Sequence, residues 1–304
     1  MANKKSELQD YYLFNFMSSV MERLKVMGRQ RTFETYASTL KSFTAFRKNN
    51  DLALSEMDSD IMMLYEAYLR NRGLTKNSTS FYMRILRAVY NRAVEKELTI
   101  QRNPFRHVYT GVDRSVKRAL PIDDIKRIKE LELSGHRSMA FARDMFLFSF
   151  YTRGMSFIDM AFLRKEDLRN GVLTYRRRKT GQRLSVKWER CMEEITGRYD
   201  TGGSKYLLPI IKCSDRDSRI QYQSAMCLVN RNLKSVGRMA GVPLPLTMYV
   251  ARHSWATVAK SKNIPISVIS EGMGHDSERT TQIYLASLDV SVIDRANSLI
   301  LNSI

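Results

Sequence analysis

Residues 247–288 read TMYVARHSWATVAKSKNIPISVISEGMGHDSERTTQIYLASL, and what this stretch says decides how the rest of the chain is understood. It opens on a helix-like segment, ARHSWATVAK, and runs on to a Gly-Met-Gly-His turn at residues 272–275. Glycines flanking a histidine let the backbone come close to a ligand. Arg252, His275 and Tyr284 follow in that order, with Tyr284 nine residues after His275. The chain has 15 tyrosines, so a tyrosine by itself is an ordinary amphipathic packing residue. The ordered set, at its spacing, is the signal.

The Arg-His-Ser-Trp-Ala-Thr run at 252–257, the Met-Gly-His turn at 273–275 and the Thr-Thr-Gln-Ile run before Tyr284 closely resemble the C-terminal boxes of the tyrosine recombinases, the phage integrase family. Upstream, GLTKNSTSFYMRILRAVYNRAVEKELTIQRNPF at 73–105 resembles the end of that family's core-binding domain. The resemblance implies a mainly α fold with a small β-sheet (α+β). A helical, SAM-like core-binding domain over residues 1–108 and a tyrosine recombinase catalytic domain over residues 117–304 would close as a clamp around DNA. The implied activity is site-specific recombination, the cutting and rejoining of DNA strands through a 3′-phosphotyrosine. The implied partners are double-stranded DNA recombination sites, bound by a homotetramer that works through a Holliday junction, with no cofactor and no metal. Two alternatives stay open. A type IB topoisomerase-like relaxing enzyme would religate without exchange, and a catalytically inactive DNA-binding relative would have no use for the retained Tyr284, Arg252, Lys179 and His275. No arm-binding domain is expected ahead of the helical unit, an expectation that favours inversion, resolution or an Xer-like reaction over integration that needs arm sites.

Moving a DNA phosphoryl group onto a protein hydroxyl needs an in-line nucleophile, positive donors around the non-bridging oxygens and an acid for the leaving 5′ oxygen. A phenol, with a pKa near about 10, reaches its anion more easily than an aliphatic alcohol and also leaves more readily, so the linkage is reversible. The resemblance implies Tyr284 as that nucleophile. It implies Arg252 as a clamp on phosphate oxygens, which its planar fork can hold in a bidentate way and a lysine cannot. His275 is implied to hydrogen-bond the phosphate or the nucleophile, while His253 beside Arg252 is expected to pack elsewhere. Lys179, in Arg-Lys-Thr-Gly, matches the family's Lys-Thr strand-turn element and is implied to protonate the leaving oxygen. Its neighbours Arg176, Arg177 and Arg178 also read as simple backbone binders, and Arg176 and Arg178 are expected DNA contacts.

Two positions depart from the family pattern. The family's histidine three residues before the second arginine is here Tyr249, whose phenol can donate a hydrogen bond but is a poor proton acceptor at neutral pH. The family's first arginine lies in a Thr-Gly-x-Arg box seven residues before the leucine of a Leu-Arg-x-x-Asp run. Counting back from Leu163 reaches Ser156. The nearest arginine is Arg153, and Arg143 on the preceding helix is the other candidate. Gly154 permits an unusual backbone path that could return the Arg153 guanidinium to the phosphate, so Arg153 is the expected residue.

Composition agrees with a polyanion partner. The formal net charge of +19 is spread over both halves of the chain, which suits two domains gripping one nucleic acid. A hydrophobic content of 43% in 304 residues is enough for two real cores and excludes a disordered tail. Cys191, Cys213 and Cys227 have neither CxxC spacing nor a nearby histidine, so they read as reduced packing residues rather than a zinc site or disulfide framework. No run approaches the ~18 apolar residues of a membrane span, and MANKKSELQD is followed by an amphipathic stretch rather than a signal-peptide core. A cytoplasmic protein is expected.

Apolar residues recurring at three- and four-residue steps predict helices over 7–27, 32–47, 58–71 and 76–96. Arg84, Arg87 and Arg92 on the fourth are candidates to face DNA, although a solvated helix face has the same look. Residues 106–118 read as a basic linker. Beyond it come an amphipathic helix bearing Ile125, Ile128 and Leu131, an almost wholly apolar helix over 139–151, two strands over 172–178 and 183–187 around Thr180-Gly181, and a helix over 221–240. The tail over 289–304 has helical spacing too, with an apolar face expected to dock on a neighbouring protomer.

Overall fold

The first helix, α1 (Leu13–Val26), buries Leu13, Met17, Val20 and Leu24, one residue per turn on one face. Three more helices complete the N-terminal unit: α2 (Gln30–Phe46), α3 (Ser59–Asn71) and α4 (Lys76–Glu95). Asp58 starts α3 by accepting from the Ile61 amide at 2.9 Å, and Thr75 starts α4 by accepting from the Ser78 amide at 3.3 Å. Phe43, Tyr65 and Tyr90 are fully buried among the apolar faces. Edge-on packing of Phe43 on Tyr65, with centroids 4.9 Å apart, ties α2 to α3. Residues 11–113, 118–212, 215–285, 297–298 and 300–302 are described by this computed structural model. The chain divides into two compact units, Met1–Ser115 and Val116–Ile304.

The second unit is built on α6 (Arg137–Tyr151), preceded by α5 (Ile122–Glu130). The run of buried residues from Asp144 to Ser149 leaves α6 with no polar face over its second half, as its composition predicts for a central helix. It packs against α9 (Ser218–Met239) and α10 (Met248–Ser261). The one charge inside it, Asp144, accepts from Arg143, Arg198 and the Tyr199 hydroxyl, so a buried carboxylate is fully partnered. After a short α7 (Phe157–Ala161) comes an antiparallel sheet of β1 (Leu168–Arg169), β2 (Val172–Arg176) and β3 (Arg183–Lys187), in that spatial order. The register pairs Leu173 with Val186 and Tyr175 with Leu184, which turns Leu173, Tyr175 and Val186 into the core. The remaining helices are α8 (Arg190–Gly197), α11 (Ile266–Met273) and α12 (Glu278–Leu285).

The sheet differs from the sequence expectation in two ways. The first strand stops at Arg176 rather than 178, because the Arg177 amide and carbonyl close the connecting turn onto the Gln182 carbonyl and the Gly181 amide. There is also an additional strand, β1, too short for any alternation to be read. Its signal was the Asn170-Gly171 pair, both at positive φ, the residues a tight hairpin turn demands. The predicted helix start at 7–10, and the tail helix apart from residues 297–298 and 300–302, lie outside the described residues; Ile300 and Leu301 are exposed.

Candidate active site

The last turn of α6 sets up the site. Thr152 returns its hydroxyl to the Phe148 carbonyl at 2.7 Å, and the chain then passes through two successive left-handed residues, Arg153 (φ 60°) and Gly154 (φ 75°). A side chain at the second of these has no room: a Cβ on Gly154 would lie 2.7 Å from the Arg252 Cα. That close approach puts the Gly154 carbonyl 2.7 Å from Nη1 of Arg252. Gly154→Ala is therefore expected to lower stability by about 1–3 kcal/mol, read as a drop of several degrees in the thermal midpoint.

Arg252, on α10, is only 6% exposed. Besides Gly154, its Nη2 donates to the Met273 carbonyl at 2.7 Å and meets Nε2 of His275 at 2.9 Å. Three contacts from one planar group fix the guanidinium in orientation. Gly274, at the end of α11, is the left-handed residue (φ 63°) that turns the chain toward His275. A Cβ there would lie 2.8 Å from Cδ of Arg177, the buried arginine that donates to the Gly274 carbonyl. Nδ1 of His275 meets Oγ1 of Thr281, in the first part of α12, at 2.7 Å.

These contacts assign the imidazole. A guanidinium can only donate, so Nε2 accepts, and Nδ1 carries the proton given to Thr281. Burial, followed by the Arg252, Arg177 and Lys179 cations, pushes the His275 pKa down to about 4, with Asp276 opposing. His275 is thus a neutral hydrogen-bonding group rather than an acid at neutral pH. Between the ordinary histidine value near about 6.5 and about 4, the unfolded chain binds a proton that the folded one refuses, so stability falls as pH falls through that window. His275→Gln is expected to flatten this part of the thermal-midpoint profile, and an unchanged slope would contradict the assignment.

Arg153 is half-buried, with its Cδ 3.6 Å from where a Gly272 Cβ would sit, alongside the last turn of α11. Burial, and secondarily Asp159, pushes the Tyr175 phenol pKa up, while the Arg252, Arg177 and Arg153 cations oppose the rise. Arg143 is elsewhere engaged, bound to Asp144 at 2.9 Å and to the Leu131 carbonyl at 2.7 Å. Lys179 is exposed in the β2–β3 turn. Beside it the Arg178 amide donates to the buried Asp159 at 2.8 Å, while the Arg178 guanidinium covers the Phe162 ring. Arg176 is exposed and donates to the Gly181 carbonyl at 3.2 Å. Tyr249 is exposed in the first turn of α10, its ring edge-on to the buried His253 with centroids 4.5 Å apart. His253 is buried against the Tyr249 ring. Tyr284 falls on α12, three residues after Thr281; its side chain lies outside the described part.

In the N-terminal unit, Arg84 and Arg87 are exposed on α4. Arg87 donates to the Thr110 hydroxyl at 2.8 Å and lines an open cleft with Asn91, Gln101, Asn103 and Arg106. Arg92 instead lies over the Tyr36 ring. Sequence reasoning missed Arg177 as a buried group and Thr281 altogether. Strand alternation carried the first, since Leu173, Tyr175 and Arg177 share one face.

Among the described residues, no cluster of His, Cys, Asp and Glu could hold a metal ion, and no helix is long and apolar enough to cross a membrane. A family model described as a phage integrase SAM-like domain matches residues 12–110, and one described as the phage integrase family matches residues 145–290. The chain belongs to this family, the tyrosine recombinases, whose members cleave and rejoin DNA. Tyrosine recombinase XerD of Pseudomonas putida is 22% identical over 82% of this chain and 84% of its own length. Tyrosine recombinase XerA of Pyrococcus furiosus is 27% identical over 77% and 79%. Among solved structures, a lambda integrase (75–356) dimer bound to a COC′ core site superposes with a TM-score of 0.69 at 15% identity, covering 90% of this chain and 95% of that one. The XerH recombinase in its post-cleavage complex with a palindromic difH substrate gives 0.65 at 18%, covering 92% and 84%. At these identities the superpositions establish the fold.

Proposed function

We propose that this chain is a site-specific DNA recombinase that cuts and rejoins strands through a 3′-phosphotyrosine on Tyr284. The observation that carries the reading is the pair of buried Arg252 and half-buried His275, with the guanidinium oriented by the Gly154 and Met273 carbonyls and the imidazole joined through Thr281 to the helix bearing Tyr284. In the proposed step the Tyr284 oxygen attacks the scissile phosphorus. The phenolic proton passes to solvent as the phosphotyrosine bond forms, the bond to the 5′ oxygen breaks, and that oxygen takes a separate proton and leaves as a 5′ hydroxyl. Arg252 and Arg153 neutralise the non-bridging oxygens, where charge concentrates in the transition state. A neutral His275, its Nδ1 proton given to Thr281 and its Nε2 accepting from Arg252, orients the guanidinium and adds no cation. Lys179, exposed on a mobile-length side chain, is the proton donor to the leaving oxygen, and Tyr249 offers a phenolic donor at the rim. The reverse attack by a 5′ hydroxyl from a partner strand completes exchange. Arg84, Arg87, Arg176 and Arg178 hold the DNA backbone, and the assembly on paired sites is a homotetramer.

The test is a nicked duplex carrying the cognate site, incubated with the protein in excess EDTA. A covalent adduct with a free 5′ hydroxyl, followed by strand exchange when a second site is supplied, is the expected result. Strict Mg²⁺ dependence would contradict the step, and relaxation without exchange would make the chain a topoisomerase. The choice of first arginine has its own test. Arg153→Ala is expected to slow single-turnover cleavage by about 10²- to 10³-fold with little loss of DNA binding. Arg143→Ala is expected to act through the thermal midpoint, by leaving Asp144 short of a partner. A stable, DNA-bound but inert Arg143→Ala beside an active Arg153→Ala would reverse the assignment.

A further inference from the structure

Helix α12 has only eight residues, too few to hold its shape alone, so its position depends on what grips it. Two side chains of the same protomer do so, one at each end. Near the start, Thr281 is fully buried and its Oγ1 meets His275 Nδ1 at 2.7 Å. At the finish, Lys260 reaches from α10 to the Leu285 carbonyl, with Nζ 3.1 Å away. This places a half-buried cation on a carbonyl of the last described turn of the helix, toward the negative side of its dipole. The Leu285 side chain sits 6% exposed in a small cluster with Ala256, Ile269 and Met273. Tyr284 lies between these two attachments, immediately before the residue whose carbonyl Lys260 holds.

Resting on the reading of Tyr284 as nucleophile, we infer that Thr281 and Lys260 are positioning residues that seat α12 on the Arg252–His275 pair and so set the approach of the tyrosine to the phosphate. Neither touches the reacting atoms. Each acts on the geometry of attack, where a displacement of about 1 Å costs on the order of 10²-fold in rate. The two differ in what they report. Thr281 links α12 to the imidazole that borders Arg252, whereas Lys260 acts only on the far end of the helix.

The experiment measures single-turnover adduct formation on the nicked duplex across a range of DNA concentrations. Lys260→Met and Thr281→Val keep the size of each side chain and remove its polar contact. Both are expected to lower the maximal rate on the order of 10- to 100-fold while the half-saturating DNA concentration stays within about two-fold, since phosphate contacts elsewhere hold the DNA. Lys260→Arg and Thr281→Ser, which keep a donor and a hydroxyl, are expected to recover most of the rate, an outcome that general unfolding would not give. Lys262→Met removes an exposed charge two residues away and is expected to change nothing. If wild type forms no adduct, the recombinase reading falls and takes this inference with it. If wild type reacts, Tyr284→Phe does not, and Lys260→Met and Thr281→Val match the wild-type rate, the inference alone is overturned. An equal loss in Lys262→Met, or a loss confined to DNA affinity, would overturn it as well.

Discussion

Tyr284→Phe is expected to bind duplex DNA as wild type does and to form no covalent adduct, a loss on the order of 10⁴-fold or more, the scale of removing a covalent nucleophile. The substitution deletes one hydroxyl and leaves the ring, so the short α12 keeps its apolar content. Affinity comes from many phosphate contacts spread over a chain of net charge +19 and does not depend on one phenol. Binding is read by gel shift, the adduct by its mobility under denaturing conditions. An adduct persisting in Tyr284→Phe would mean that another hydroxyl attacks.

The second large effect falls on Arg252. Arg252→Ala is expected to slow cleavage by about 10²- to 10³-fold through loss of a charge-assisted donor in the transition state. It also strands the Gly154 and Met273 carbonyls that the guanidinium now satisfies, each at about 1–3 kcal/mol if left unpaired in the buried site. The thermal midpoint is therefore expected to fall together with the rate. Arg252→Lys separates the two effects. An ammonium keeps the charge and can serve one carbonyl, but it cannot reach Gly154, Met273 and His275 with the geometry of a planar fork. Stability is expected to recover more than activity. A lysine variant with full rate would show that charge alone suffices and that the fixed orientation of Arg252 is incidental.

Much of the architecture was legible because periodicity survives in the sequence. Helices α1 to α4 carry their apolar stripes openly, and α6 announces its central place by having almost no polar residue after Asp144. The Arg153 expectation leaned on one glycine, and the backbone there does take an unusual path: Arg153 and Gly154 are both left-handed, which brings the Gly154 carbonyl onto Arg252 and leaves Arg153 beside Gly272. What stayed hidden depends on contacts between distant segments. Arg177 looks like one cation in a run of four; alternation with Leu173 and Tyr175 marks its inward face, but its partner, the Gly274 carbonyl 97 residues away, leaves no local signal. Thr281 and Lys260 are ordinary residues in helices, and their partners, an imidazole and a backbone carbonyl, leave no spacing to read. Ser254 gives the opposite lesson. Set inside the motif, it is structural, accepting from the Leu120 amide at 2.9 Å and returning its hydroxyl to Val250.

The covalent attachment site tests the central claim most directly. Trapping the protein on a nicked duplex, digesting both components and sequencing the nucleotide-linked peptide by mass spectrometry identifies the attacking residue and the strand end it holds. The account expects one modified peptide, carrying a 3′-phosphonucleotide on Tyr284, with the released strand ending in a 5′ hydroxyl. Attachment through any other residue, or to a 5′ phosphate, would contradict it.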